Sequence, residues 1–157
     1  MNFDFTLSVT RQTRRNMEGI LDAFSLEQLN AIPDGFRNNL IWNYGHAIIT
    51  QQLLCYGLAG LPTKVAPQLV SQYRKGAAPD LDAPVSQSEY ESLRELAVTC
   101  LDQFAADHAA GLFDEVSYKA YTTSYGATLT SVAEAFHFNV VHEGLHFGTM
   151  LAMRKLL

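Results

Sequence analysis

Two histidines four residues apart, His142 and His146, lie in a stretch from Thr130 to Leu157 that contains no proline and is apolar on nearly every side. Ser131 with Glu134 has the spacing of a capping box, so the stretch reads as one long, largely buried helix. Residues four apart on a helix differ by about 40° in direction and about 6 Å along the axis. His142 and His146 therefore project from one face, close enough for both imidazoles to meet one metal ion. A pair of core or surface histidines satisfied by hydrogen bonds is the plainer alternative. The i, i+4 placement on an apolar helix favours the metal.

The pentapeptide His142-Glu143-Gly144-Leu145-His146 also fits H-E-x-x-H, the zinc-binding helix motif of metallopeptidases. Those enzymes take a third ligand from further down the chain. Here eleven residues follow His146, and none is His, Asp, Glu or Cys. The extended form fails as well, because the glycine after the second histidine is Gly148. Any third ligand must come from upstream, and a metallopeptidase is disfavoured.

The elements that must position these side chains are helical. No segment sustains period-two alternation, and there is no internal repeat or low-complexity tract. The first helical pattern runs from about residue 4 to 24, with Val9, Met17, Ile20, Leu21 and Phe24 as its apolar stripe. Arg11, Gln12, Arg14, Arg15 and Asn16 interrupt that stripe; the arginines read as a solvated face, with the binding of a substrate anion as the alternative. Ile32-Pro33-Asp34-Gly35 signals a turn. Asn38-Asn39 then caps a second long helix near 39–58, whose stripe is Ile41, Trp42, Gly45, Ile48, Ile49, Leu53 and Tyr56. Gly60-Leu61-Pro62 closes it. The connection over 59–86 holds four of the five prolines, with a short helix expected near Pro67 to Tyr73. A link this long permits a crossover between helices that are not antiparallel neighbours. A helix near 87–110 follows, opened by Ser86/Glu89 or Ser88/Glu91 and stopped by Gly111. Its buried face is Tyr90, Leu93, Ala97, Cys100, Leu101 and Phe104, and His108 near its end reads as a partner of the helix dipole. An aromatic link carrying Tyr118, Tyr121 and Tyr125 leads to the last helix, near 129–156. These tyrosines either cover the end of the bundle, the favoured reading, or line a pocket. The expected fold is one all-α four-helix bundle domain over residues 1–157.

Composition bounds the function. The 157 residues are 48% hydrophobic and 17% charged, enough for a substantial core. A formal charge of −5 without a basic cluster argues against nucleic acid. No apolar run approaches a membrane span, and Met1-Asn2-Phe3-Asp4-Phe5 lacks the features of a signal peptide. Cys55 and Cys100 fall in helical patterns and read as buried apolar residues of a reducing cytoplasm, with a disulfide between them left open.

A bundle can build a metal site from side chains on facing helices. His46, beside the stripe of the second long helix and four residues after Trp42, is the candidate third donor. Trp42, Thr50, Phe138 and Met150 occupy the positions one turn away, so no carboxylate is evident as a fourth. Three ligands leave coordination positions open, which marks a catalytic more than a structural site. Three imidazoles suit zinc, nickel, iron or copper better than magnesium or calcium. Glu143 orients one of the histidines, acts as a base, or is a solvated side chain. His137 points to another face. Ser/His/Asp and Cys/His groupings cannot be assembled from helical spacing here.

The string Pro33-Asp34-Gly35 through Asn38-Asn39-Leu40-Ile41-Trp42-Asn43-Tyr44-Gly45-His46 resembles the second-helix signature of the DinB-like (DinB/YfiT) metalloprotein superfamily. In that signature a tryptophan stands four residues before a ligand histidine, often in a Gly-His pair. His142-Glu143-Gly144-Leu145-His146-Phe147-Gly148 resembles the fourth-helix signature, and Arg154-Lys155-Leu156-Leu157 is similar to the family's ending. Thr50 and Thr149 depart from it, where an acidic residue and a glutamine are frequent. The resemblance implies an up-down-down-up four-helix bundle with a divalent metal, zinc or nickel foremost, on His46, His142 and His146. It also implies a homodimer, and in some members transfer or isomerisation with a low-molecular-weight thiol. The expected function is a metal-dependent enzyme acting on a small molecule, thiol S-transfer foremost, with a hydrolase also considered. The alternative is a non-catalytic metal-binding or stress-response interaction protein.

Overall fold

The computed structural model describes residues 2–157, and the chain is all-α with one minor hairpin. Helix α1 spans Phe3–Leu21, α2 Leu26–Asn30, α3 Leu40–Cys55, α4 Pro67–Tyr73, α5 Gln87–Ala109 and α6 Val132–Met153. A 3₁₀ turn at Gly57–Ala59 follows α3, and strands β1 (Tyr121–Thr122) and β2 (Thr128–Leu129) precede α6. The expected helices are all present, each shorter at one or both ends. The helix over Pro67–Tyr73 falls where the sequence placed it, with Pro67 in its first turn.

Local chemistry sets the starts. Ser86 and Glu89 form the reciprocal capping box of α5, rather than Ser88 and Glu91. Asn39 accepts from the Trp42 amide at 2.8 Å and opens α3. At α6 only half of the expected box forms. Ser131 caps the Glu134 amide, while the Glu134 carboxylate reaches past Ser131 to the Thr130 amide at 2.7 Å. The hairpin was not foreseen, since two-residue strands paired Tyr121 to Leu129 and Thr122 to Thr128 are too short to show a period.

Helix α3 lies at the centre. Every residue from Leu40 to Ile49 is buried, including Asn43 and His46. It meets α6 most extensively and also touches α1, α2, α4 and α5. Asn43 reaches His146 and His46 reaches His142, so α3 and α6 run in opposite directions. Thr6 meets His137 and Arg14 meets Glu143, so α1 and α6 run the same way. Two apolar clusters result. One gathers Met17, Ile20, Ile41, Ile48, Leu93 and Met150. The other gathers Cys55, Tyr56, Leu101, Phe104 and Phe136 near the hairpin.

One sequence expectation is overturned. Arg14 is not on a solvated face: it is 2% exposed, on a buried stripe of Thr6, Thr10, Arg14 and Met17. Its guanidinium donates to Glu143 at 2.8 Å and to the Ala97 carbonyl at 2.9 Å. The Asn139 amide adds a 2.8 Å bond to the same Glu143 oxygen. Burial alone would lower the Arg14 pKa, but the Glu143 carboxylate outweighs it, and the net direction is upward. Thr6 and Thr10 satisfy their hydroxyls on carbonyls one turn back. Polar residues could therefore enter this face without leaving donors unpaired.

Removing one member of a buried ion pair strands the other charge, at a cost of about 3–5 kcal/mol. Glu143→Gln should therefore lower stability in urea unfolding by an amount in that range, whereas the Arg14→Met/Glu143→Leu double substitution should regain most of it. A loss below about 1 kcal/mol for Glu143→Gln would show that the pair does not hold α1 on α6.

Candidate metal centre

The three histidines singled out by the sequence come together. His46 from α3 and His142 and His146 from α6 each place a ring nitrogen within 4.8 Å of the others. Their ring centroids are 4.6 to 5.1 Å apart.

Two of the rings are fixed by the residues beside them. The His46 Nδ1 faces the Tyr73 carbonyl at 2.5 Å. A carbonyl can only accept, so Nδ1 carries the proton and the Nε2 lone pair turns inward. Tyr73 is the last residue of α4, whose final carbonyls have no partner within the helix. Trp42 serves the neighbouring carbonyl, donating from Nε1 to Gln72 at 3.1 Å. Its indole stacks on the His46 ring with centroids 4.6 Å apart and planes 12° apart. The tryptophan four residues before the histidine thus pins one ring face, while the same short helix end receives both side chains.

His146 is held from α3. The Asn43 amide donates to the Asn39 carbonyl at 2.8 Å, which leaves its Oδ1 to accept from His146 Nδ1 at 2.8 Å. His146 Nε2 is then the nitrogen with a free lone pair. His142 differs: its Nε2 stands 3.3 Å from His46 Nε2, and its buried Nδ1 has no hydrogen-bond partner among the described residues. Burial holds all three imidazoles neutral. It carries His142 down to about 3, helped by repulsion from His146 and His46, and His146 down to about 4, helped by His46. His46 moves the same way, against the pull of the Tyr73 carbonyl. Three neutral imidazoles with ring nitrogens within 4.8 Å of one another, two of them in tautomers that leave Nε2 its lone pair, fit a divalent cation.

The glycine before His46 has a steric role. A Cβ at Gly45 would stand 2.5 and 2.6 Å from two carbons of the Tyr73 ring. Only glycine lets Tyr73 lie against α3 and bring its carbonyl to His46. Gly144 and Gly148 on α6 are exposed, and a Cβ on either meets nothing within 4 Å.

Glu143 is fully buried on the face of α6 turned to α1, paired with Arg14. It is neither a solvated glutamate nor placed as a base at the histidines. Thr6 meets His137 Nδ1 at 2.9 Å, and His108 stacks on Phe3 with centroids 3.7 Å apart. Both lie outside the cluster. Cys55 and Cys100 are free thiols, buried and shifted upward by that burial.

The histidines open into a cavity of about 630 Å3. Leu53, Leu54, Leu58, Phe138 and Leu145 wall it, and Thr50, Lys75 and the hairpin residues Tyr121, Thr123, Ser124 and Tyr125 complete it. The link tyrosines therefore divide. Tyr121 and Tyr125 line this pocket, whereas Tyr118 bonds the Leu54 carbonyl at 3.0 Å and covers the bundle. Lys75 carries no sequence signal: it follows Arg74 in a proline-rich link, and Arg74 does not line the cavity.

A helical bundle presenting three histidines to an apolar cavity defines a class of protein that could hold a metal ion. The family model described as the DinB superfamily matches residues 10–150, and the chain belongs to that superfamily. Comparison with curated proteins gives no match. No helix among the described residues is long and apolar enough to cross a membrane.

Helix propensity favours alanine over glycine by about 1 kcal/mol. Gly144→Ala and Gly148→Ala should therefore each raise stability by up to about that amount. Gly45→Ala should instead lower it by about 1–3 kcal/mol, because the Tyr73 ring must move. Thermal unfolding of the three variants checks the opposite signs, and a stabilised Gly45→Ala protein would remove glycine's steric role.

Proposed function

We propose that His46, His142 and His146 hold one divalent ion, zinc or nickel, and that the protein is a metal-dependent enzyme transferring a low-molecular-weight thiol to a small electrophile. The observation that carries this reading is the opening of the three-histidine cluster into a large cavity. A purely structural metal is enclosed by four protein ligands, whereas three ligands facing a cavity leave room for a reactant. A divalent ion there would supply Lewis acidity, favouring the deprotonated form of a thiol or water at neutral pH. The chain's residues do the rest. Tyr73 and Asn43 hold two imidazoles in the ligating tautomer. The leucines and Phe138 exclude water, and Thr50 places a hydroxyl 3.3 Å from His46 Nε2. The protein's own cysteines are buried and held protonated, so the thiol comes from outside.

The proposal treats residues 1–157 as one functional domain acting in the cytoplasm. It includes a homodimer, for which α6 offers the exposed Val141 and Leu145 beside Gly144 and Gly148. Sedimentation of the full chain at the monomer mass over a wide concentration range would remove that part.

Protein purified without a nickel column should carry about one equivalent of metal. His46→Ala should lose it, and so should the His142→Ala/His146→Ala double variant. The metal-loaded wild type, offered a panel of bacterial thiols and a chromogenic electrophile, should form the conjugate only when His46 is intact. Equal metal content in wild type and double variant would refute the metal site. Metal binding without turnover across the panel would favour a non-catalytic metal-binding protein.

A further inference from the structure

We infer that the second substrate of this site is an apolar molecule with a single anionic end, and that Lys75 binds that end at the mouth of the cavity. The inference rests on the reading of the cavity as a substrate pocket and names the kind of molecule it takes. Lys75 is the only lysine, arginine or carboxylate-bearing residue among those lining the cavity. It is exposed and makes no ion pair among the described residues, so no carboxylate of the chain competes for it. Its place is fixed through the backbone. Tyr73, two residues earlier, is tied to His46 by its carbonyl and to Gly45 by its ring. The segment that orients a histidine thus also presents the cation, and the two cannot drift far apart.

The other walls select the rest of the molecule. Leu53, Leu54, Leu58, Phe138 and Leu145 make most of the wall apolar, and the few hydroxyls of Thr50 and the hairpin would replace only part of the water bonds of a hydrophilic body. A cavity of about 630 Å3 falls within the range of about 300–1,000 Å3 that holds drug-sized ligands. A polyanion would need more than one cation. A monoanion with an apolar body satisfies both surfaces at once: the body removes leucine and phenylalanine surface from water, and the charged end stays partly hydrated beside an exposed ammonium.

The test uses octanoate and octanamide, matched in shape and different in charge, titrated calorimetrically into the full-length protein in low salt. It is run on zinc-loaded and on metal-free protein. Metal-free wild type should bind octanoate about threefold more tightly than octanamide, the scale of an exposed ion pair. Added salt should shrink the preference. Lys75→Met should abolish it while leaving octanamide affinity unchanged, and Lys75→Arg should retain it. Equal affinity for the two probes, a preference that survives in Lys75→Met, octanoate binding that requires zinc, or no binding of either probe would each overturn the inference. Because the decisive comparison is made without metal, failure of the metal or thiol-transfer assays leaves it standing. Its own failure leaves those assays untouched.

Discussion

The buried pair of Arg14 and Glu143 is the constraint on which the arrangement of this protein depends. A charged carboxylate in the interior is tolerable only when its oxygens are satisfied, and Glu143 achieves this from two sides, Arg14 on α1 and Asn139 on its own helix. Rotating α6 about its axis would strand that charge. The rotation is therefore fixed, and with it the direction of His142 and His146, which flank Glu143 and face α3. An apolar contact of equal area would resist separation of the helices but would discriminate much less between rotations, because hydrophobic burial has no direction.

Helix α3 receives what α6 presents, and it does so through unusually varied side chains. Along one stretch Asn43 holds His146, Gly45 admits Tyr73, and His46 takes the Tyr73 carbonyl. Trp42 covers the His46 ring and occupies the next carbonyl of α4. The carbonyls that a seven-residue helix cannot satisfy itself become the acceptors that orient the site. A short helix is thus sufficient here. Its stability comes from the tertiary partners its end requires, more than from its own length.

How much of this could be read from the chain follows from the range of the interactions. The i, i+4 histidines, the caps at Asn39 and Ser86 and the Gly45-His46 pair are local, and they were legible. The inward turn of Arg14 was not, since a stripe of Thr6, Thr10 and Arg14 has the polarity of a surface until its buried partners are known. Glu143 hid for the same reason, its partner being 129 positions away. The hairpin at Tyr121 and Leu129 was too short to announce itself, so the division of labour among the tyrosines could not be assigned. Lys75 stands in a link with no periodicity, and only the tie of Tyr73 to His46 gives its position meaning.

The same contrast separates the two halves of the site. The histidine half is built from long helices and a buried ion pair, so its geometry is set by parts that cannot move independently. The cavity half joins faces of α3 and α6, which carry Leu53, Leu54, Phe138 and Leu145, to the 3₁₀ turn, the segment after α4 and the hairpin tip, where Tyr125 is 65% exposed. Loops of that kind open at lower free energy than core helices and tolerate exchange of side chains. Three histidine nitrogens anchored in rigid helices beside exchangeable loops can keep their geometry while the loop side chains of the cavity vary. Variation in the lining of the cavity therefore falls on loop residues such as Lys75, Tyr121 and Tyr125, rather than on the histidines of α3 and α6.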